Sequence, residues 1–412
     1  MSGEAMDDTI LVVGGGQAGG CAAQALRAGG FEGRVIIVGN ESWRPYERPP
    51  LSKDVLLATD DTDCFKGWLH EATFYDDASV ERIVANVTHL DTHRRVAVLG
   101  SGRELRYDRC LLATGGRARG LAGVQHGPRV ASLRTLDDAM RLRSLMARAK
   151  SVAVVGGGFL GLEFAASARA RGLEVVVFEA GARLLSKAMP AAFSGQLHAK
   201  HEAHGVRIVL DAGSVRIAES DSAVVVTSAI GTSSFDFCVV AVGQEPNDEI
   251  ARASRIDVSN GIVVDEYCRT SAPYVYAAGD CANFPLGAAA RATRLESWQN
   301  AQEQGVAAAR NMLGESYAYR PTPWFWTDQY DWNIQMLGMP NESVDRWIAR
   351  PGAGDKTLLI GLRENVIVYV LALNQGGELR ALRRLVEQAV RVEPDQLADM
   401  SVKLRKLEQL AH

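Results

Sequence analysis

The feature that most constrains this chain is a dinucleotide-binding fingerprint that occurs in it twice. In residues 9–19 and again in residues 151–161, an apolar run leads into the pattern G-x-G-x-x-G and then into a helical pattern. The glycines are Gly14, Gly16 and Gly19 in the first copy and Gly156, Gly158 and Gly161 in the second. A further apolar run follows each copy and ends in an acid, Glu41 or Glu179. Two such units predict two bound dinucleotides, and a flavin on one with a nicotinamide on the other would make an electron-transfer enzyme.

The three glycines of each copy have separate tasks. The first permits a tight turn after the strand, the second lets the backbone approach a pyrophosphate, and the third lets the helix pack closely on the sheet. The N-terminus of the helix then faces the diphosphate with free N–H groups and the positive end of its dipole. An ordinary glycine turn is the alternative, and the repetition of the whole unit argues against it.

The two acids stand where a carboxylate can accept hydrogen bonds from both hydroxyls of a ribose. Because such a carboxylate repels a 2′-phosphate, Glu179 predicts a preference for NADH over NADPH. Arg183 leaves an alternative open, since a nearby arginine can serve a 2′-phosphate and can equally stack on adenine. The simpler interpretation of Glu41 and Glu179 is a solvated acid at the end of a strand.

The glycines do not say which unit takes which cofactor, but Asp280 favours one assignment. Residues 275–280 form a small-residue strand that ends in Gly279 and Asp280, which would place a carboxylate at a cleft lined by backbone. Such an acid suits the ribityl hydroxyls of FAD. A structural Gly-Asp turn is the alternative. We therefore predict FAD on the first unit and NADH on the second.

Composition excludes several other classes. A chain of 412 residues predicts two or three domains. It is 47% hydrophobic and 23% charged, and its formal net charge of −4 argues against nucleic-acid binding. The first eight residues are acidic and lack the apolar segment of a signal peptide, and no apolar stretch is long enough to span a bilayer. We expect a cytoplasmic protein that binds neither membrane nor nucleic acid.

The cysteines point away from disulfide chemistry and from metal. They are Cys21, Cys64, Cys110, Cys238, Cys268 and Cys281. They form no C-x-x-C pair and have no metal-ligand spacing, so we predict buried free thiols and no metal site. Flavoenzymes that reduce disulfides need a cysteine pair, which this sequence does not offer.

The second fingerprint lies inside the sequence of the first unit, which predicts a discontinuous domain. An inserted NADH-binding domain, residues 118–242, would divide an FAD-binding domain made of residues 1–117 and 243–320. From residue 321 the composition changes, which predicts a C-terminal α+β domain over 321–412. The overall class is α/β, with two Rossmann-like domains followed by this third domain.

Within the predicted third domain, four aromatic residues stand close together: Trp324, Trp326, Tyr330 and Trp332. Strand-like runs follow at 357–362 and 366–371. Residues 378–410 read as an amphipathic helix that Pro394 should break in two.

Over nearly its full length the chain resembles the FAD-dependent NADH:ferredoxin reductases that serve bacterial oxygenases. These include the reductase components of aromatic-ring dioxygenases and the putidaredoxin-reductase type. The matching segments are Gly14-Gly-Gly16-Gln-Ala-Gly19, Pro45-Tyr-Glu-Arg48-Pro-Pro-Leu-Ser-Lys53, Leu112-Ala-Thr114-Gly115, Leu133-Arg134-Thr135, Gly156-Gly-Gly158-Phe-Leu-Gly161-Leu-Glu163, Val242-Gly243-Gln-Glu-Pro246-Asn247, Tyr276-Ala-Ala-Gly279-Asp280, Glu296-Ser-Trp298 and Phe325-Trp326-Thr-Asp328-Gln329. The segments ending at Lys53 and at Gln329 are the most specific. The resemblance implies the glutathione-reductase-like fold of two-dinucleotide flavoproteins.

The resemblance also implies roles for individual residues. Lys53 would lie near flavin N5 and pair with Glu163, a pairing that makes physical sense because a lone buried ammonium is costly. Trp326 would lie between the flavin and the docking surface of the ferredoxin. The FAD contacts would be Gly14, Gly16, Gln17, Ala18, Gly19, Glu41, Arg48, Lys53, Thr114, Gly115, Arg134, Gly279, Asp280, Glu296, Trp298 and Trp326. The NADH contacts would be Gly156, Gly158, Phe159, Leu160, Gly161, Glu163, Glu179, Arg183 and Gly243.

The activity implied is a converter of two-electron to one-electron transfer. Hydride transfer from NADH to FAD needs positioning rather than an acid or base, and the electrons would then pass singly to a [2Fe–2S] ferredoxin that supplies a terminal oxygenase. The ferredoxin can be of the Rieske or the adrenodoxin type, and the protein a monomer or a homodimer. Candidate basic docking residues are Arg291, Arg294, Arg380, Arg383 and Arg384.

Two alternative functions stay open at this point. One is a flavoenzyme that reduces a small molecule such as a quinone, monodehydroascorbate or oxygen. For the oxidase class with a redox cysteine near position 42, Ser42 and Trp43 argue against it. The other is a flavoprotein of the apoptosis-inducing-factor kind, which shares the fold and is the weaker match.

Overall fold

The computed structural model describes residues 8–59, 65–76, 80–287, 289–339 and 344–407. The strands are, in chain order, β1 (Thr9–Val13), β2 (Arg34–Gly39), β3 (Glu81–Val84), β4 (Val87–Asp91), β5 (Val96–Leu99), β6 (Glu104–Arg106), β7 (Arg109–Leu112), β8 (Gly116–Ala118), β9 (Val130–Ala131), β10 (Ser151–Val155), β11 (Glu174–Phe178), β12 (Val206–Val209), β13 (Arg216–Glu219), β14 (Val224–Ser228), β15 (Gly231–Phe235), β16 (Phe237–Val240), β17 (Gln244–Pro246), β18 (Ile262–Val263), β19 (Val275–Ala277), β20 (Ala282–Leu286), β21 (Arg291–Thr293), β22 (Trp324–Gln329), β23 (Trp332–Gly338), β24 (Arg346–Pro351), β25 (Thr357–Arg363) and β26 (Val366–Leu373). The α-helices are α1 (Gln17–Ala28), α2 (Asp54–Leu57), α3 (Thr73–Asp76), α4 (Leu136–Met146), α5 (Phe159–Ala170), α6 (Ala191–Ala203), α7 (Glu249–Ala253), α8 (Trp298–Met312), α9 (Gly376–Glu387), α10 (Pro394–Ala398) and α11 (Leu404–Leu407), and a 3₁₀ turn covers Pro49–Ser52.

The chain forms two compact units. The first consists of Met1–Pro50, Thr62–Arg117 and Gln244–Pro321, and the second of Leu51–Asp61, Ala118–Gly243 and Thr322–His412. Each unit contains one of the two fingerprints.

The first unit is built on a parallel sheet of order β19-β7-β1-β2-β3. After Thr9, its central strand is apolar and buried from Ile10 to Val13, as expected for a parallel strand covered on both faces. Helices α1 and α8 pack closely because their contact surface is made of small residues. A Cβ on Gly305 of α8 would overlap the carbonyl oxygen of Ala18 in α1.

The second unit contains two five-stranded sheets. One is parallel, of order β12-β11-β10-β16-β9, and carries the second fingerprint after β10. The other is antiparallel, of order β22-β23-β26-β25-β24, and α9 packs its apolar face against it. Side chains of β23 and β26 also share a core with α5 and α6, which brings the start of the C-terminal sheet beside the fingerprint helix.

The C-terminal helix differs from the sequence prediction. Instead of one helix broken at Pro394, α9 ends at Glu387, and Ala389 takes a φ of 50° that a helix does not allow. Arg391 then forms a β-bridge with Val366. Pro394 is the first residue of α10, a position that needs no backbone donor. The predicted helical residues 408–410 lie outside the part of the chain that the structure describes.

None of the described helices is both long enough and apolar enough to cross a membrane.

Candidate cofactor-binding sites

The two fingerprint turns have the same geometry. A Cβ on Gly14 would overlap the carbonyl oxygen of Ala113, and a Cβ on Gly156 would overlap that of Ala241. A Cβ on the third glycine of each copy would overlap the carbonyl oxygen of the first glycine. At the second glycine of each copy, by contrast, a Cβ would meet no atom within 4 Å. Packing therefore requires the first and third glycines, whereas the second faces open space at the N-terminus of α1 or α5, which fits an approaching diphosphate.

In the first unit, the strand-end acid Glu41 is held by two donors. Its carboxylate accepts a 2.7 Å hydrogen bond from Arg48 and another from the hydroxyl of Tyr46. Burial lowers the pKa of Arg48, but Tyr46, Glu41 and Asp280 more than offset this, so the net shift of its pKa is upward. Glu41 is therefore an ordered part of this site and not a freely solvated acid.

Asp280 and its neighbours form the other side of the first-unit site. The Asp280 carboxylate accepts from Gln244 at 2.9 Å. Arg294 donates to the backbone carbonyl of Asp280 at 3.0 Å and forms an ion pair with Glu296 at 2.5 Å. These bonds of Arg294 hold the backbone around Asp280 in place. Because the side chain of Arg294 is only 8% exposed, the prediction that it is a docking residue is wrong.

The Thr114–Gly115 turn is locked by reciprocal bonds to a second loop of the first unit. The Thr114 hydroxyl donates to the carbonyl of Asn247 at 2.6 Å, and the Asn247 amide donates to the carbonyl of Thr114 at 2.9 Å. Gly279, with a φ of 83°, donates its N–H to Gln304. These bonds fix backbone segments that carry predicted FAD contacts.

In the second unit, Glu179 lies against the fingerprint turn. Its carboxylate accepts from the N–H of Gly157 at 2.7 Å and from that of Gly181 at 2.8 Å. Glu179 as a residue is half-buried. The Arg183 guanidinium donates to the carbonyls of Ser186 and Met189 and to the Ser194 hydroxyl. Arg183 thus supports the loop before α6.

Also in the second unit, Lys53 and Glu163 form an ion pair. Lys53 Nζ lies 2.6 Å from Glu163 Oε2, and the side chains are 20% and 9% exposed. Ser52 donates to the same oxygen at 2.5 Å, and Thr327 donates to Glu163 Oε1 at 2.6 Å. The carboxylate is therefore surrounded by donors, which is the condition under which a buried charge is tolerated.

Strand β22 carries aromatic side chains next to this pair. Phe325 packs on Phe159, the first residue of α5, with ring centroids 4.5 Å apart. Trp326 stacks on Trp324 at 5.0 Å. Alternation along the strand puts Phe325 and Thr327 on one face and Trp324 and Trp326 on the other. Trp326 is half-buried.

The predicted site residues divide between the units as follows. The first unit holds Gly14, Gly16, Gln17, Ala18, Gly19, Glu41, Arg48, Thr114, Gly115, Gly279, Asp280, Glu296 and Trp298. The second holds Lys53, Arg134, Gly156, Gly158, Phe159, Leu160, Gly161, Glu163, Glu179, Arg183, Gly243 and Trp326. Arg134 stands just before Thr135, the N-cap of α4, whose capping box with Asp138 fixes the local backbone.

Sequence reasoning missed several ordering residues. Four of them stand inside segments that carry the family resemblance: Tyr46, Ser52, Thr327 and Gln244. The resemblance therefore pointed to these segments but did not predict what each of the four side chains does. His201, by contrast, is buried on α6 and hydrogen-bonds to Gln329 in β22. No motif around His201 marks it, because its partner is a strand far away in sequence.

The described cysteines are buried and unpaired: Cys21, Cys110, Cys238, Cys268 and Cys281. Cys64 lies outside the described residues. Burial raises the pKa of Cys21 to about 11 and that of Cys238 to about 12, which keeps both thiols protonated at neutral pH. These five thiols therefore lack the exposed thiolate that disulfide exchange requires.

The chain belongs to the pyridine nucleotide-disulphide oxidoreductase family, whose model matches residues 8–305, and a reductase C-terminal model matches residues 324–408. A ferredoxin–NAD(+) reductase component of the anthranilate 1,2-dioxygenase system of Burkholderia cepacia is 37% identical, over 97% of this chain and 98% of its own. The solved ferredoxin reductase for the CYP199A2 system from Rhodopseudomonas palustris is 34% identical with a TM-score of 0.92, covering 98% of this chain and 100% of the other. Putidaredoxin reductase, solved in a covalent complex with putidaredoxin, is 31% identical with a TM-score of 0.91, covering 98% and 99%. The predicted fold class and family resemblance are confirmed.

Proposed function

We propose that this protein is an FAD-dependent NADH:ferredoxin oxidoreductase. The observation that carries the proposal is the pair of fingerprint turns, each with its second glycine open at a helix N-terminus. Relatives matched over nearly their whole length are named as ferredoxin reductases of oxygenase systems. When bound, FAD accepts a hydride from NADH and releases electrons one at a time.

The residues of this chain supply binding and orientation. Gly16 and the N-terminus of α1 receive the diphosphate of FAD, and Glu41, ordered by Arg48, receives its ribose. Gly158 and the N-terminus of α5 receive the diphosphate of NADH, and Glu179 receives its ribose. For the remaining FAD and NADH contacts, we propose the residues that the family resemblance implies. We keep the three domains, 1–117 with 243–320, 118–242 and 321–412, as a proposal.

The electron acceptor is a [2Fe–2S] ferredoxin that supplies an oxygenase. The named systems of the relatives include a dioxygenase and putidaredoxin, so we propose that the ferredoxin is of the Rieske or the adrenodoxin type. We further propose a cytoplasmic monomer or homodimer that works without membrane or nucleic acid.

Electron transfer to purified ferredoxins tests this function. The yellow, FAD-loaded protein is mixed with NADH, one [2Fe–2S] ferredoxin of either type and cytochrome c as the final acceptor. Ferredoxin-dependent cytochrome c reduction is the expected result. Rapid NADH oxidation with quinone or oxygen and none with any ferredoxin would favour the small-molecule reductase instead.

We expect the enzyme to prefer NADH to NADPH by at least about tenfold in kcat/KM, equivalent to about 1.4 kcal/mol. The carboxylate of Glu179 lies beside Gly157 and would repel a 2′-phosphate. Glu179→Gln should narrow the preference, whereas Glu174→Gln, at an exposed position on the same strand, should leave it unchanged. Equal use of the two donors by the unaltered enzyme would mean that Glu179 does not reach the adenosine ribose.

Trp326→Ala should slow electron delivery to ferredoxin while flavin reduction by NADH stays near normal. An aromatic residue at the centre of an interface is a usual energetic anchor, so weaker ferredoxin binding is also expected. Stopped-flow measurement of each half-reaction at saturating ferredoxin separates lost coupling from lost affinity. Trp347→Ala, an exposed tryptophan of the same sheet, is the control. Wild-type rates in both halves would make Trp326 a packing residue.

A further inference from the structure

A chain of buried polar side chains leads away from Glu163 within the second unit. Thr327 Oγ1 lies 2.6 Å from Glu163 Oε1, and Gln329 Nε2 lies 3.1 Å from Thr327 Oγ1. His201 Nε2 lies 2.8 Å from Gln329 Oε1, and the Tyr330 hydroxyl lies 3.1 Å from His201 Nδ1. Thr327, Gln329 and His201 are each at most 1% exposed, so water does not replace these bonds.

The direction of every bond in the chain follows from its first member. A carboxylate can only accept, so Thr327 must donate its single proton to Glu163. Thr327 then accepts from the amide nitrogen of Gln329, whose oxygen is left facing His201. His201 must therefore carry its proton on Nε2 and accept at Nδ1 from Tyr330. All four donors point toward Glu163.

The surroundings of His201 agree with a neutral ring. Burial, with smaller contributions from His204 and His198, lowers the pKa of His201 to about 4 although its bond to Gln329 acts in the opposite direction. Tyr330 is the titratable group on the other side of the His201 ring. The ring of His204 stacks on the ring of Tyr330, with their centroids 3.8 Å apart. The neighbouring cation Lys200 is paired with Asp331 at 2.6 Å.

We propose that Thr327, Gln329 and His201 are positioning residues for the Lys53–Glu163 pair. Their aligned bonds stabilise the Glu163 carboxylate and keep it aimed at Lys53, since hydrogen bonds in a chain polarise one another. This inference rests on the proposed function, in which Lys53 serves the flavin. It also gives strand β22 a second task, because the strand that carries Trp326 on one face orders the ion pair from the other.

The first test reads the tautomer of His201 in the full-length protein by ¹⁵N NMR of labelled histidine, with the signal assigned by its loss in His201→Gln. Wild type should show the ring protonated on Nε2 alone. Glu163→Gln supplies an amide that can donate to Thr327, so the chain can reverse and an Nδ1–H population should appear. An Nδ1–H ring in wild type, or no change in Glu163→Gln, would overturn the proposal.

The second test follows flavin reduction by NADH in stopped flow. Thr327→Val should slow the reaction about tenfold at saturating NADH, with the Kd for NADH unchanged, because one bond to a charged group is lost. Thr327→Ser should restore the rate to within about twofold, and Thr357→Val in the same sheet is the matched control. Equal rates for Thr327→Val and wild type would overturn the proposal. The NMR test needs neither cofactor nor ferredoxin, so failure of electron transfer to ferredoxin would count against the proposed function alone.

Discussion

Replacing Gly158 with alanine should leave the protein folded and yellow but weaken NADH binding by about a hundredfold, equivalent to about 2.8 kcal/mol. A Cβ at this position meets no protein atom within 4 Å, and the φ of Gly158, −83°, is one that alanine adopts readily. The substitution should therefore leave the stability of the fold unchanged. The added methyl group would occupy the space through which a diphosphate approaches the N-terminus of α5. The FAD absorbance spectrum and titration with NADH measure the two quantities separately.

The matched variant is Gly16→Ala, which makes the same change in the first unit. There the φ is −90° and the surroundings are equally open, so the protein should fold but lose affinity for FAD. The pair of variants therefore assigns each cofactor to its unit. Loss of FAD in Gly158→Ala with retention in Gly16→Ala would reverse the assignment derived from Asp280. Gly14→Ala, which would overlap the carbonyl of Ala113, should instead prevent folding.

The fingerprint turns could be predicted from sequence because their constraint is local. The first glycine of each copy takes a φ above 110°, which glycine alone adopts readily, and the third is required by a contact with the first inside the same strand–turn–helix unit. The acids Glu41 and Glu179 then follow the ends of β2 and β11. The hairpin β22–β23 was harder to recognise. Its two-residue turn contains neither the glycine nor the asparagine that marks most turns of this kind. Tyr330 takes the positive φ of 58° instead, so the sequence around the four aromatic residues does not predict a turn.

The ion pair illustrates the limit of sequence reasoning. Lys53 and Glu163 are 110 positions apart, and only the family resemblance predicted that they pair. His201 had neither a motif nor a resemblance to mark it. Its burial and its tautomer are set by β22, which reaches α6 only through tertiary packing, and no local pattern encodes such a contact.

Breaking the Lys53–Glu163 ion pair from one side should lower the free energy of unfolding more than any other single change proposed for the second unit. Lys53→Met leaves the Glu163 carboxylate, 9% exposed, without its cation. Removing one partner of a buried pair costs about 3 kcal/mol or more, and the donors Ser52 and Thr327 keep the cost at the lower end. Flavin reduction by NADH should also slow by on the order of a hundredfold, as expected when a preorganised charge is lost.

The double variant separates the charge imbalance from the loss of contacts. Glu163→Gln alone should cost less stability than Lys53→Met, because Lys53 is 20% exposed and its ammonium can still reach water. Combining the two removes both charges, so the double variant should unfold at a higher denaturant concentration than Lys53→Met alone. Its flavin reduction should stay slow, since the cation is still missing. If the losses of unfolding free energy simply add, the two side chains do not interact, and the ion pair at the centre of the second-unit site contributes nothing to stability.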